Sequence, residues 1–339
     1  MRVGKYDKYP GGPDEIAAAQ DNRHLRGDRR NAAAAHASRR GAAGCTGTIG
    51  ISLCSRGPGD AIARIVAERL QAALGEPFVV ENRAGASGRI GVQVVINAAG
   101  DGKTLLIVPI APICVLPHVY PALGYDPFKD LAPVSQLATF DFKLAVGAQV
   151  PVSSLRGLIE WVRQDAARAA YASPVPGALP HFFGAMFSAA ADLKLRHVSY
   201  RGAAAATTDV VAGAVPILVN NSGEVIELRK NGKVRILATS GKARSSTTAE
   251  ISTFTEAGYA ISGDSWFALY APAATPKPTV DRVNAIVVAG LQEPGIKQRI
   301  TSFGGVPTGT SPERLAQIQA ADFAKWGPVI KASGFKPEN

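Results

Sequence analysis

Apolar residues recur at helical spacing along most of the chain after residue 46, and short apolar runs separate these stretches. In residues 60–75 the apolar positions fall on one helical face and Gly75 follows the last turn, which predicts a helix. Runs such as 104–108 and 170–173 are short and apolar, as buried strands are. Because strands alternate with helices, the pattern predicts an α/β fold with mostly parallel sheets and helices on both faces.

The same spacing places the remaining elements. It predicts helices at 91–99, 154–164, 181–193, 204–212, 225–230, 278–291, 294–302 and 312–333, and strands at 77–80, 197–200, 215–219 and 234–239.

The first 45 residues have neither period and are rich in Ala, Arg, Gly and Asp. Such a composition predicts a disordered extension. A secretory signal peptide needs an apolar stretch of about 7–15 residues, and this segment has none, so we expect no export signal and cytoplasmic retention remains open. The alternative is that the start site or reading frame is wrong upstream of about residue 58.

The charge is unevenly distributed along the chain. Of the net charge of +10 over 339 residues, half lies in residues 1–57. The remainder is only mildly basic, which suits a small acidic ligand and argues against a nucleic-acid partner. No window holds 18 uninterrupted apolar residues, so we expect no transmembrane helix.

Motifs for catalysis or metal binding are missing from the sequence. It contains no Gly-x-Ser-x-Gly, no P-loop and no His-Glu-x-x-His, and its three cysteines and five histidines lack metal-ligand spacing. We therefore expect no enzyme activity, no metal and no cofactor. Asp141 and Asp264 could form a carboxylate pair, but nothing in the sequence brings them together.

Two strand-to-helix loops are the best candidates for a binding site. Residues 55–60 precede the first helix, and residues 173–181 join a strand to another helix; both loops contain Gly. Ligands of parallel α/β sheets gather at the carboxyl ends of strands, where helix N-termini point free N–H groups outward. The two loops could hold two carboxylates, one on each domain, although ordinary turns use the same residue types.

Residues 59–339 resemble the Bug-type extracytoplasmic solute-binding proteins, the receptors of tripartite tricarboxylate transporters. The stretch 79–88, VVENRAGASG, is similar to the V-V-E-N-R-x-G-A-x-G of that family. Residues 99–106, 125–135 and 265–276 are similar, in the same order, to its A-x-D-G-x-T-L-L, Y-D-P-x-K-D-F-x-P-V-S and S-W-F-G-x-x-A-P-A-G-T-P.

The resemblance implies a periplasmic-binding-protein-like fold of type II, with two lobes joined by two crossing strands. Lobe one would comprise residues 46–140 and 257–339, lobe two residues 141–256, and the crossing strands would lie near 137–146 and 264–271. The implied function is capture of a small organic anion, a mono- or dicarboxylate, for delivery to membrane transporter subunits. A periplasmic monomer would do this. A ligand sensor for a membrane signalling protein is the alternative, and an α/β enzyme a lesser one.

The resemblance and the loop positions together select the ligand-binding residues. They are Gly57, Gly59, Asp60, Pro109, Ile110, Ser173, Gly177, Ala178, His181, Tyr200, Arg201, Asn220 and Asn221. Ser173 and Gly177 would donate to a carboxylate, Asp60 and His181 would line the cleft or cap their helices, and Tyr200 with Arg201 would close over the ligand.

The second loop departs from the family pattern. Pro174, Pro176, Ala178 and Pro180 replace small or hydroxyl residues, and proline has no N–H to donate. The segment 109–112 likewise lacks the hydroxyl residues usual there. We therefore expect weaker anion binding, or a more apolar ligand, than in a typical member.

Overall fold

The structure is a computed structural model that describes residues 47–51, 57–83, 85–200 and 202–336. The predicted extension at 1–45, the residues 52–56 of the first loop and Arg201 lie outside these ranges.

The strands of the described residues, in chain order, are β1 (Gly47–Ile51), β2 (Phe78–Asn82), β3 (Thr104–Pro109), β4 (Leu131–Phe140), β5 (Phe142–Gly147), β6 (Ala170–Ser173), β7 (Arg196–Ser199), β8 (Ile217–Asn221), β9 (Val234–Thr239), β10 (Ser265–Pro272) and β11 (Val306–Pro307). The α-helices are α1 (Pro58–Leu74), α2 (Arg89–Ile96), α3 (Leu116–Val119), α4 (Leu155–Arg163), α5 (Leu179–Ala190), α6 (Ala203–Ala212), α7 (Ser222–Lys230), α8 (Lys277–Leu291), α9 (Pro294–Ser302) and α10 (Pro312–Ser333). A π-helical turn, Ala111–Val115, precedes α3.

The strands form two sheets, and each sheet is the centre of one lobe. The first has the order β11-β4-β10-β3-β1-β2, and the second the order β7-β6-β8-β5-β9. Among these described strands, β1 pairs in parallel with β2 and β3, and β6 with β7 and β8; the other strand pairs are antiparallel. The two-lobed α/β fold is therefore confirmed, but its sheets are mixed rather than mostly parallel.

The antiparallel strands are those that carry the chain from one lobe to the other. β5 begins with Phe142, which lies opposite Asn221 at the carboxyl end of β8. Near the start of β10, Phe267 lies opposite Pro109 at the carboxyl end of β3. A strand that enters a sheet where the parallel strands end must run in the opposite direction. The reversal is thus a consequence of where the lobes are joined.

The two chain connections between the lobes differ in length. β4 belongs to the first sheet and β5 to the second, and Asp141 is the one residue between them. The chain returns through residues 240–264, after which β10 begins in the first sheet. The first connection between the lobes, at Asp141, lies within the predicted crossing strand 137–146. The second connection, residues 240–264, ends where the predicted crossing strand 264–271 begins, and that predicted strand corresponds to β10 in the first sheet.

Helices cover both faces of each sheet. One apolar core lies between the first sheet and helices α1, α8 and α9, and a smaller core lies between the second sheet and helices α6 and α7. The largest core is shared by both lobes: Trp326 of α10 packs edge-on against Phe183 of α5, with ring centroids 5.4 Å apart. Among the described helices, none is long and apolar enough to cross a membrane.

Candidate functional site

The start of α1 forms the lobe-one wall of the candidate site. Gly57 is the N-cap residue in an extended conformation, and Pro58 is the first helical residue. No side chain of the described residues caps the helix. The amides of Gly59 and Asp60 fall in the first helical turn, where no intrahelical carbonyl can reach them. A Cβ on Gly59 would lie 2.8 Å from the ring of Phe267, so this close approach requires glycine. Such a terminus favours an anion.

Asp60 holds this wall in position and does not cap the helix. Its carboxylate accepts hydrogen bonds from Arg64 Nε, at 2.9 Å, and from Asn82 Nδ2, also at 2.9 Å. The Arg64 bond and then the Asn82 bond keep the pKa of Asp60 below its usual value, so the carboxylate is ionised at neutral pH. Because Asn82 ends β2, the contact attaches the start of α1 to the neighbouring strand.

The loop between β6 and α5 forms the lobe-two wall. Gly177 adopts a left-handed backbone with φ +75°, and its N–H donates to Nδ1 of His181 at 3.0 Å. His181 thus binds a loop amide that precedes the N-cap Ala178, and α5 has no side-chain cap among the described residues, so the predicted capping role of His181 is wrong. Its other predicted role, in lining the cleft, stays a prediction. The N–H of Gly177, predicted to bind a carboxylate, is bonded within the loop.

Ser173 is buried and bonded to a residue that the sequence did not single out. Its Oγ lies 2.7 Å from Nε2 of His197, on the neighbouring strand β7. The ring of His197 stacks on the ring of His181 with centroids 3.9 Å apart. Burial lowers the pKa of both histidines from 6.5 to about 4, and the neighbouring His181 adds to this effect on His197. Both rings are therefore neutral at neutral pH and give the loop no positive charge.

The first turn of α5 offers few amides. Ala178 is the N-cap and has no side-chain oxygen, Pro180 has no N–H, and the N–H of His181 donates to the carbonyl of Ala178 at 3.0 Å. Leu179 is left with an amide that no intrahelical carbonyl can reach. The lobe-two wall is thus poorer in donors than the lobe-one wall.

Asn220 and Asn221 lie at the end of β8, where α7 begins. Asn220 is buried, its amide group donates to Glu224 in the first turn of α7, and its Oδ1 accepts from the N–H of Asn221 at 2.7 Å. The side chain of Asn221 is exposed. The Asn220 side chain thus organises the start of α7.

Three further predicted residues lie in the described part of the chain. Pro109 and Ile110 are buried, and Ile110 belongs to the shared apolar core. The hydroxyl of Tyr200 donates to Asp209 at 2.7 Å, and burial followed by this bond raises the pKa of Tyr200 to about 12. The prediction for Arg201 lies outside the described residues.

Asp141 and Asp264 lie close together, although nothing in the sequence indicated it. A Cβ on Gly241 would lie 3.6 Å from Oδ1 of Asp264 and 3.7 Å from Cβ of Asp141. Phe335, just beyond α10, was also missed: it packs against the lobe-two loop, 5.5 Å from the ring of His181. A surface cavity of about 510 Å³ adjoins Phe335 and contains none of the predicted site residues.

Comparisons with known proteins agree with this architecture. A family model described as tripartite tricarboxylate transporter family receptor matches residues 62–335. Protein BugT of Bordetella pertussis is 29% identical over 282 residues, which are 83% of this chain and 86% of BugT.

Solved structures are similar over almost their whole length. Rpa4515 of R. palustris, with adipate, has a TM-score of 0.77 and 30% identity over 86% of this chain and 98% of that one. MatC of Rhodopseudomonas palustris, with bound malate, has a TM-score of 0.72 and 25% identity over 84% of this chain and 98% of that one.

Proposed function

Because the chain belongs to the receptor family of tripartite tricarboxylate transporters, a family of binding proteins and not of enzymes, we propose that it captures a small carboxylate between its two lobes and delivers it to the membrane subunits of such a transporter. The lobes would be residues 46–140 with 257–339, and residues 141–256. Capture would take place in the periplasm.

The observation that carries the proposal is the uncapped start of α1. Gly57 has no side chain to satisfy the first-turn amides, and Asp60 is held back by Arg64 and Asn82. Two amides and the positive end of a 17-residue helix therefore favour an incoming carboxylate. Structures of two relatives hold adipate and malate, which supports a carboxylate as the ligand class here.

The two walls differ in the number of free hydrogen-bond donors, and this difference limits which solutes they can bind. The lobe-two loop has its Gly177 N–H and Ser173 hydroxyl bonded internally, and its histidines are neutral. We therefore propose a solute with one strongly held carboxylate, at α1, and a less polar or weakly held other end. Monocarboxylates with an apolar body and long-chain dicarboxylates meet this description. A monomer and the lack of a nucleic-acid partner stay predictions.

Thermal shift and calorimetry with a panel of mono- and dicarboxylates test capture directly. A ligand at about 100 times its Kd stabilises the folded protein by about 2.7 kcal/mol, so the melting temperature should rise by several degrees. The dimethyl ester of adipate has the same carbon chain without the charge and should cause no shift. The proposal fails if no carboxylate of the panel raises the melting temperature, or if the ester does so equally.

A substitution at the N-cap tests the place of binding. The position of Gly57 is extended, and no described residue lies within 4 Å of a Cβ there, so Gly57→Asp is expected to fold and to cap α1. Its carboxylate would occupy the anion site and lower the solute affinity by about tenfold or more, without lowering the melting temperature of the free protein. Gly57→Ala is the matched control and should retain most of the affinity. Unchanged affinity in Gly57→Asp would contradict the assignment.

Delivery is a separate step from capture. Uptake of the solute into vesicles that contain the membrane subunits should require this protein. Capture without any effect on uptake would favour the sensor alternative.

A further inference from the structure

Three stretches of chain at the junction of the lobes meet at one polar cluster, in which Lys143 is buried and the other members are half-buried. Asp141 is the link between β4 and β5, Asp264 ends the return segment 240–264, and Lys325 lies on α10, the helix that packs on both lobes. We call Asp141, Lys143, Asp264, Asp322 and Lys325 the hinge cluster. A change in the angle between the lobes must alter distances within it.

The carboxylate of Asp141 is hydrogen-bonded at both oxygens. Its carboxylate accepts from Lys143 Nζ at 2.7 Å, and the hydroxyls of Ser222 and Thr239 also donate to it. Lys143 is completely buried and donates to the hydroxyls of Thr239, at 3.1 Å, and Thr248, at 2.9 Å. This half of the cluster is a closed network of hydrogen bonds.

Asp264, unlike Asp141, has a carboxylate oxygen without a hydrogen-bond partner in the described part of the chain. Its Oδ1 is buried and has no hydrogen-bond partner among the described residues, and it faces the same glycine, Gly241, as Asp141 does. Lys325 makes no hydrogen bond to it among the described residues: its Nζ lies against Gly263 and donates to the carbonyl of Ser262. An ionised carboxylate in this position buries an uncompensated negative charge, whereas a protonated one buries a neutral group, which costs less.

The charged groups around Asp264 do not offset the cost of burying its ionised carboxylate. Burial, followed by the charge of Asp141, raises the pKa of Asp264 from 3.8 to about 6; Asp322 adds to the rise, and Lys325 and Lys242 oppose it. Asp322 accepts from Nε1 of Trp266 at 2.8 Å, and burial raises its pKa. Burial lowers the pKa of Lys325.

We propose that Asp264 is a protonation-dependent latch of the interlobe hinge. The uncharged carboxyl fits the packed hinge of this structure, and ionisation drives the hinge toward arrangements in which water reaches Oδ1 and Asp264 moves away from Asp141. The lobes are therefore held more firmly in acid than above neutrality. Where the proposed function holds, solute affinity inherits this dependence on pH; the latch itself does not require a solute.

Small-angle X-ray scattering of the full chain without solute tests the latch. The wild-type radius of gyration should increase as the pH is raised through about 6, the value at which Asp264 titrates. Asp264→Asn, which keeps the shape and removes the charge, should stay at the acidic value at every pH. Asp192→Asn is the matched control, because Asp192 is exposed on a turn of lobe two, and it should follow the wild type.

A second measurement does not depend on any substitution. Carbon-13 NMR of the wild type should show the carboxyl of Asp264 titrating together with the indole resonances of Trp266 and Trp326, which lie beside the cluster. The latch is overturned if the wild type and Asp264→Asn have the same scattering at all pH values. It is also overturned if the indole resonances do not follow the carboxyl.

Calorimetry with the carboxylate panel then separates the two proposals. A pH-dependent hinge in a protein that binds no carboxylate would refute the proposed function and leave the latch in place. Carboxylate binding to a protein whose hinge ignores pH and Asp264→Asn would refute the latch alone.

Discussion

The ring of Phe335 occupies the space into which a side chain at Gly177 would project. A Cβ on Gly177 would lie 2.5 Å from two ring carbons of Phe335, and the backbone of Gly177 has φ +75°. Phe335 follows α10, whereas Gly177 lies in the loop before α5. The C-terminal end of the described chain therefore packs directly on the candidate binding loop of lobe two.

We expect Gly177→Ala to destabilise the protein for two separable reasons. The left-handed backbone costs about 1 kcal/mol for a residue with a Cβ, and the contact with Phe335 adds a steric cost. In Gly177→Ala with Phe335→Leu, the smaller side chain should remove the steric part and leave the backbone part. Urea unfolding of the two single variants and the double variant measures the coupling. Strict additivity would show that the two residues do not interact.

The stacked pair of His181 and His197 should make the protein sensitive to acid. Burial lowers the pKa of both rings from 6.5 to about 4, so between these values the unfolded chain binds protons that the folded protein does not. Stability should therefore fall as the pH falls from about 6.5 toward 4. Melting temperatures of the wild type and His197→Asn across this pH range test the prediction. The variant lacks one of the two titrating rings, so its melting temperature should depend less steeply on pH. A wild-type slope identical to that of the variant would contradict the assignment.

The hydrogen bond between Asn82 and Asp60 should matter for both stability and solute binding. Asn82→Ala removes a bond to a buried carboxylate, which costs about 1–2 kcal/mol, and frees the start of α1 from β2. Asn82→Asp keeps the size but places a second carboxylate beside Asp60, so its loss of stability should be larger at neutral pH and should shrink in acid. Calorimetry should show weaker carboxylate binding in both variants. Full affinity in Asn82→Ala would mean that the bond does not position the wall.

Local periodicity was enough to predict most elements of the fold. β6, β9, α9 and α10 have the predicted bounds, because each has an unbroken period and a clear boundary such as the proline that opens α9 or α10. The direction of β5 and β10 could not be read in this way, since it depends on where the chain enters each sheet. The π-helical turn Ala111–Val115 was missed for a related reason: its buried apolar run has no period.

The sequence was enough to predict which loops contain the candidate site, but not which hydrogen bonds their residues make. The glycines of both loops marked where the backbone makes close approaches, at Gly59 to Phe267 and at Gly177 to Phe335. Which groups satisfy the loop amides depends on residues distant in sequence, or on a side chain that folds back, as His181 does. The meeting of Asp141 and Asp264 is the extreme case, because it arises only when both crossings are in place.

The pH dependence of stability at Asp264 should have the opposite sign to that at the histidines. The pKa of Asp264 is raised from 3.8 to about 6, so between these values the folded protein binds a proton that the unfolded chain has lost. This contribution to stability is present in acid and is lost as the pH rises through about 6. Asp264→Asn has no charge to bury, so relative to the wild type it should gain on the order of 1–3 kcal/mol between about pH 4 and neutrality. Urea unfolding midpoints of both proteins over that range check the gain, and a difference that does not change with pH would place the Asp264 carboxylate in contact with solvent or a cation, contrary to its buried, unpartnered position.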